Sequence, residues 1–248
     1  MKTYFMTATV VVAGAMLTVV LGDEPPGAKA TAKGVADAPE RLVKLSATND
    51  VWLDTKRKAV VVDGQVCLRE GQLEMFACPK GTKEHESVVS LNCKSEEVHA
   101  GLLAVGAKPG KPVRFDPNYQ AATGQIIDIY VLWKDAQGAK QQVRAQEWIK
   151  NAKTGKALSY DWVFAGSGFW KDEETGKEHY RANGGELVCV SNFPNATLDL
   201  PIESSEANTE LLFSAFADRI PERGAKVRLV FIPRMEKPAT GAGEKGSP

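Results

Sequence analysis

Val51-Trp52-Leu53-Asp54-Thr55-Lys56-Arg57-Lys58-Ala59-Val60-Val61-Val62-Asp63-Gly64-Gln65-Val66-Cys67-Leu68 is the stretch that decides the fold class. Two runs of β-branched and aromatic side chains flank the polar segment Asp54 to Lys58, the pattern of a hairpin. Asp63-Gly64 interrupts the second run, where glycine would supply the positive φ of a tight turn or of a bulge in one long strand. Further out the chain keeps this character. Arg69-Glu70-Gly71 reads as a turn before the strand Leu73 to Ala77. Other extended runs are Val88 to Leu91, Ile126 to Trp133, Gln142 to Ala145, Trp162 to Ala165, Leu187 to Val190 and Val227 to Ile232. Asp135-Ala136-Gln137-Gly138 joins two of these as a hairpin loop.

Two segments read as helices. Ser95 caps the first, with Glu96 and Glu97 in its first turn, Val98, Leu102 and Val105 on one face, and Gly106 as the stop. The second starts near Ser204 or Ser205, carries Leu211, Leu212, Ala215, Phe216 and Ile220, and ends before Pro221. Many strands and two helices without strict alternation predict an α+β, strand-rich fold with antiparallel or mixed sheets, and disfavour a doubly wound nucleotide fold. A strand with Cys67 followed by the helix from Ser95 is echoed by a strand with Cys189 followed by the helix from Ser205. Two related half-units would produce that order, and so would a common strand-and-helix grammar.

At the N-terminus Lys2 is followed by apolar Val10 to Ala13 and Ala15 to Leu21, then Gly22, the pattern of a signal peptide cleaved after residue 22. An uncleaved anchor is the alternative, since Tyr4 to Leu21 could reach across a bilayer. Residues 23–40 and 234–248 are poor in bulky apolar side chains and read as a linker and a tail, leaving residues 41–233 as the folded body. The expected location is therefore periplasmic or secreted. Across 248 residues, 31 basic and 31 acidic side chains cancel, which removes the electrostatic reason to expect nucleic acid or, after signal cleavage, a membrane surface as partner. A small-molecule, glycan or protein ligand stays open.

Catalytic signatures are absent: no G-x-S-x-G elbow, no phosphate loop, no dinucleotide fingerprint and no C-x-x-C. No catalytic residue can be named and no cofactor is expected. Cys67, Cys78, Cys93 and Cys189 permit three complete disulfide connectivities, with no pair preferred; Cys67 and Cys189 have the surroundings of buried strand thiols. Cys78, His85, Cys93 and His99 have the composition of a zinc set but not its spacing, which leaves Cys78 and His85 as the metal candidates. His99 fits equally the edge of the first helix's buried face. Tyr160, Trp162 and Phe164 alternate, so they share one face of an extended segment, read as core or as a stacking platform for a sugar or other flat ligand. Trp170, ahead of the polar turn Lys171 to Lys177, is the aromatic expected at the surface. Asn195-Ala196-Thr197 fits a glycosylation acceptor.

Leu73-Glu74-Met75-Phe76-Ala77-Cys78-Pro79 followed by Lys83-Glu84-His85-Glu86-Ser87-Val88-Val89, with Val98 to Gly110, Trp162 to Phe169 and Cys189 to Pro194, resembles the YdjY domain of bacterial proteins over about residues 45–232. The resemblance implies an exported protein of a family without an established activity. Some members carry a cysteine-rich iron–sulphur segment, which this chain lacks. The leading expectation is a non-catalytic binding or interaction module with His85, Glu86 and Trp170 as ligand contacts. The alternatives are a hydrolase-type enzyme using Glu84, His85 and Glu86, or a metal-binding protein using Cys78 and His85.

Overall fold

The hairpin at Asp54 forms because its carboxylate accepts the backbone N–H groups of Lys56 and Arg57 at 3.1 and 2.9 Å, which holds the turn between β2 (Val51–Asp54) and β3 (Ala59–Val66). A computed structural model describes residues 42–204 and 212–235. The leader, the linker to residue 40, most of the tail and the start of the second expected helix lie outside the described residues.

The main feature is a closed ring of eight strands. Around it run β3, β15 (Lys226–Pro233), β6 (Ile126–Lys134), β9 (Trp162–Phe164), β13 (Leu198–Asp199), β12 (Val188–Cys189), β4 (Met75–Pro79) and β5 (Ser87–Leu91), and β5 pairs with β3 to close the barrel. Pairing is parallel at β4–β5 and β12–β13 and antiparallel elsewhere in the ring. Alternate residues point inward, so Val60, Val62, Phe76, Ile127, Ile129, Trp162, Phe164, Leu229 and Phe231 fill one core. Outside the ring, β1 (Leu42–Lys44) extends β2, and β7 (Lys140–Arg144) pairs with β6. β8 (Ile149–Asn151) pairs with β14 (Phe213–Ala215), and β10 (Phe169–Lys171) with β11 (Glu178–Tyr180).

Closure depends on β3 changing partners. Its first half pairs with β2, and from Gly64 onward the same edge pairs with β5. At the change-over three backbone bonds form a ring: Asp63 N–H donates to Asp50 O, Asp50 N–H to Asn92 O and Asn92 N–H to Asp63 O, at 3.1, 2.8 and 3.0 Å. The Asn92 side-chain amide also donates to the Asp50 carboxylate at 2.6 Å. Asp63-Gly64 is thus neither a tight turn nor a positive-φ bulge. Glycine is required because a Cβ at residue 64 would stand 2.3 Å from the Ser90 carbonyl oxygen.

Several expectations are corrected. The fold is a β-barrel with one α-helix among the described residues, α1 (Ser95–Ala104), and is not α+β with two main helices. Where the second helix should run, Phe213 and Ala215 are buried and alternate with Ser214 in β14, and Ala217–Arg219 form a single 3-10 turn. Pairing with β8 made a period of two prevail over the helical spacing of Leu212, Ala215 and Phe216. Without that helix, and with β3 and β12 having different neighbours in the ring, the half-unit idea fails. Arg69-Glu70-Gly71 bends the chain ahead of β4, and β3 and β4 are not neighbours, since β5 lies between them. In α1, Ser95 is the first helical residue and not the cap: its hydroxyl donates to Ala182 O at 2.7 Å, while Glu97 accepts the Lys94 N–H.

Replacing Gly64 by alanine should therefore cost about 3 kcal/mol or more through backbone overlap, against about 1 kcal/mol for Gly138→Ala, where φ is positive but the space is open. Urea unfolding of the two variants checks this; equal losses would remove the close approach as the reason for the glycine.

Candidate functional site

β4 and β5 are parallel neighbours joined by residues 80–86, fewer than the roughly dozen residues such crossovers usually take. The return is made tight by Gly81 at positive φ, by the Thr82 hydroxyl donating to Pro79 O, and by Glu84, whose carboxylate accepts the Gly81 N–H and the Ser90 hydroxyl. A 3-10 turn, Glu84–Glu86, completes it. This path throws Lys83 across the outer wall of β4 and β12, over Phe193, where Met75, Cys189 and Ala196 form a small apolar floor. Gly185, at φ +140°, makes room, since a Cβ there would meet Lys83 Cγ at 2.6 Å.

Three carboxylates converge on the Lys83 ammonium: Glu86 at 3.2 Å, Glu74 at 3.5 Å and Glu186 at 3.6 Å. One cation cannot balance three anions in a half-buried place, so a proton is retained. Burial first, then the hydrogen bond and charge of Glu86, push Glu74 up to about 7, while Lys83 stays charged because Glu86, Glu186 and Glu74 outweigh its burial. Behind this wall Asp199 is fully buried on β13. One of its oxygens accepts the Leu200 N–H at 2.8 Å and the Asn192 amide at 3.2 Å; the other has no hydrogen-bond partner among the described residues. Burial pushes Asp199 up to about 7, so it too is an acid that holds its proton. A charged cluster on the far side is balanced and differs in kind: Arg144 and Arg234 each bond both Asp128 and Asp161.

A second polar group lies at the β9–β10 turn. His99 Nδ1 stands 2.8 Å from the Tyr180 hydroxyl, which also meets Gly166 O and Thr197 Oγ1 at 3.2 and 3.1 Å. Burial lowers the His99 pKa and pushes the Tyr180 phenol up to about 12, so the pair is neutral and holds the turn. Past it, the β10–β11 hairpin leaves Phe169 60% and Trp170 43% exposed, with Trp170 stacked on His179 at 4.9 Å and 21°.

The expected site residues are dispersed. His85 is exposed and 3.7 Å from Glu86; Glu86 belongs to the Lys83 cluster; Trp170 contacts His179 on the hairpin. Cys78 is fully buried under the crossover while His85 faces solvent. Among the described residues no group of three or more His, Cys, Asp or Glu side chains is arranged to hold a metal ion. All four cysteines are buried free thiols, and burial pushes each pKa up, which leaves them poor nucleophiles. Trp162 and Phe164 are core, and Thr197 of the Asn195-Ala196-Thr197 motif is buried against Tyr180. Sequence reasoning missed Glu74, Lys83, Glu186 and Asp199. A signal existed for two of them: Glu74 and Asp199 are single acids inside otherwise apolar strand runs.

A family model, the YdjY domain, matches residues 51–232. No curated protein and no solved structure matches the chain.

For Glu74 and Asp199 the folded-state pKa lies above the unfolded one, so the stability each contributes is complete below the ordinary carboxylate range and is lost as pH rises toward about 7. Denaturant unfolding should show stability falling from about pH 5 to about pH 7.5, with Asp199 responsible for on the order of 3 kcal/mol of the fall. Asp199→Asn should flatten this slope; an unchanged slope would show that Asp199 does not keep its proton.

Proposed function

Because the chain belongs to the YdjY domain family, we propose that it acts as an exported, non-catalytic binding module that offers the β10–β11 hairpin to its ligand. The observation that carries this reading is the exposure of Trp170 on a hairpin outside the barrel ring, its ring already ordered by His179, while Phe169, next to it in the strand, lies on the other face against Tyr180. Aromatic faces held rigid at a surface and rimmed by polar side chains bind flat or sugar-like rings at little entropic cost. His179, on which the Trp170 ring is stacked, and the polar turn after Lys171 supply such a border. Non-catalytic action is supported by the state of the polar groups. Lys83 fills the space between the acids, His99 and Tyr180 are neutral and tied to each other, and the thiols are buried.

One observation favours a second reading, hydrolase-type chemistry at the crossover: Glu74, held near 7 beside Glu86, has the proton affinity of a general acid. Export is supported by the apolar run ending at Leu21 behind Lys2.

Titration of tryptophan fluorescence with soluble oligosaccharides and aryl glycosides tests the binding reading. Trp170→Ala should weaken binding about tenfold or more, whereas Phe169→Ala, on the opposite face of the hairpin, should leave it within about twofold; each should shift unfolding by no more than about 1 kcal/mol because both side chains are largely exposed. Ligands held equally well by both variants would reject the hairpin. For export, the N-terminal residue of the protein recovered from the periplasm or medium should be Asp23; a chain starting at Met1 in the cytosol would contradict it.

A further inference from the structure

We propose that the crossover, residues 80–86, is a proton-operated latch: a proton shared by Glu74 and Glu86 keeps Lys83 clasped to the barrel's outer wall, and its release loosens the segment. The inference rests on the ion cluster and stands whether or not the hairpin binds a ligand. The groups that face the shared proton come from four places. Glu74 lies at the entry to β4, Lys83, His85 and Glu86 on the crossover, Glu186 ahead of β12, and Cys189 with Phe193 beneath. Glu84 is turned away, engaged with Gly81 and Ser90.

With the proton in place, Glu74 is neutral and Lys83 opposes two carboxylates; without it, three carboxylates within 3.6 Å share one ammonium. The other ties of the crossover run to the two strands it joins: the Glu74 N–H donates to Glu86 O at 3.2 Å and the Ser90 hydroxyl to the Glu84 carboxylate. Thr82 bonds Pro79, Ser87 bonds the Lys83 carbonyl, and the Lys80 N–H donates to Leu91 O. Lys83 is what joins the segment to Glu186 and Phe193 across β4, so weakening its cluster acts on that attachment directly. Because the closed form holds the proton more tightly than an open one, opening grows as pH rises from the ordinary carboxylate range to neutrality and levels off above it.

Hydrogen exchange of the full-length chain, followed by mass spectrometry and corrected for intrinsic rates, reads the latch in the peptide spanning residues 80–87, with the β6–β7 hairpin as reference for global unfolding. The opening constant of residues 80–87 should rise at least about tenfold between about pH 5 and about pH 7.5, beyond any rise in the reference, and then flatten. Glu74→Gln should abolish the rise and His85→Ala should keep it. The proposal is overturned by a wild-type segment whose opening does not change with pH, which needs no variant, or by an equal rise in Glu74→Gln.

Discussion

The barrel exists because one strand can serve two partners along the same edge. β3 gives the first half of that edge to β2 and the second half to β5, and the transfer happens where the Asp50, Asp63 and Asn92 backbones bond in a ring. A side chain at residue 64 would hold β5 away and leave an open sheet with two unpaired edges. On the opposite edge of β3 the Arg228 guanidinium grips Asp63 with two bonds, at 2.6 and 3.0 Å, so the strand is held from both sides at its turning point. The parallel β4–β5 pair, and through it the position of Lys83, is built outward from this junction.

Charge balance separates the polar clusters from one another. The Asp128, Asp161, Arg144 and Arg234 group is neutral and needs no proton. The Lys83 group is over-supplied with acid and keeps one, and Asp199 keeps one because it has no cation at all. Both proton-holding acids lie along the outer wall around Cys189, whose thiol senses Asp199, Glu186 and Glu74. That wall holds the proton-retaining acids, whereas the β10–β11 hairpin carries the most exposed aromatic side chains among the described residues, Phe169 and Trp170, one on each face.

Strands and local turns were legible because their causes are local. Asp54 and Asp135 each accept backbone N–H groups of their own hairpins, and Val60, Val62, Leu229 and Phe231 alternate as core strands should. Trp170 could be placed at the surface because a polar turn follows it. What was hidden depends on contacts between distant segments. The role of Gly64 comes from Ser90, the strand at Phe213 from β8, and the cluster on Lys83 from residues before β4 and β12. Spacing along the chain carries none of this, so the Glu84-His85-Glu86 segment looked like a site of its own when Glu84 turns away to Gly81 and Ser90, His85 is exposed and Glu86 alone of the three meets Lys83.

The place of β15 in the ring has a consequence for how the molecule is made. Lys226–Pro233, the last strand in chain order among the described residues, lies between β3 and β6 and supplies partners to both. Until those residues are synthesised, β3 and β6 each lack one partner and the ring stays open, so every earlier strand must wait, unsealed, for a mate far downstream.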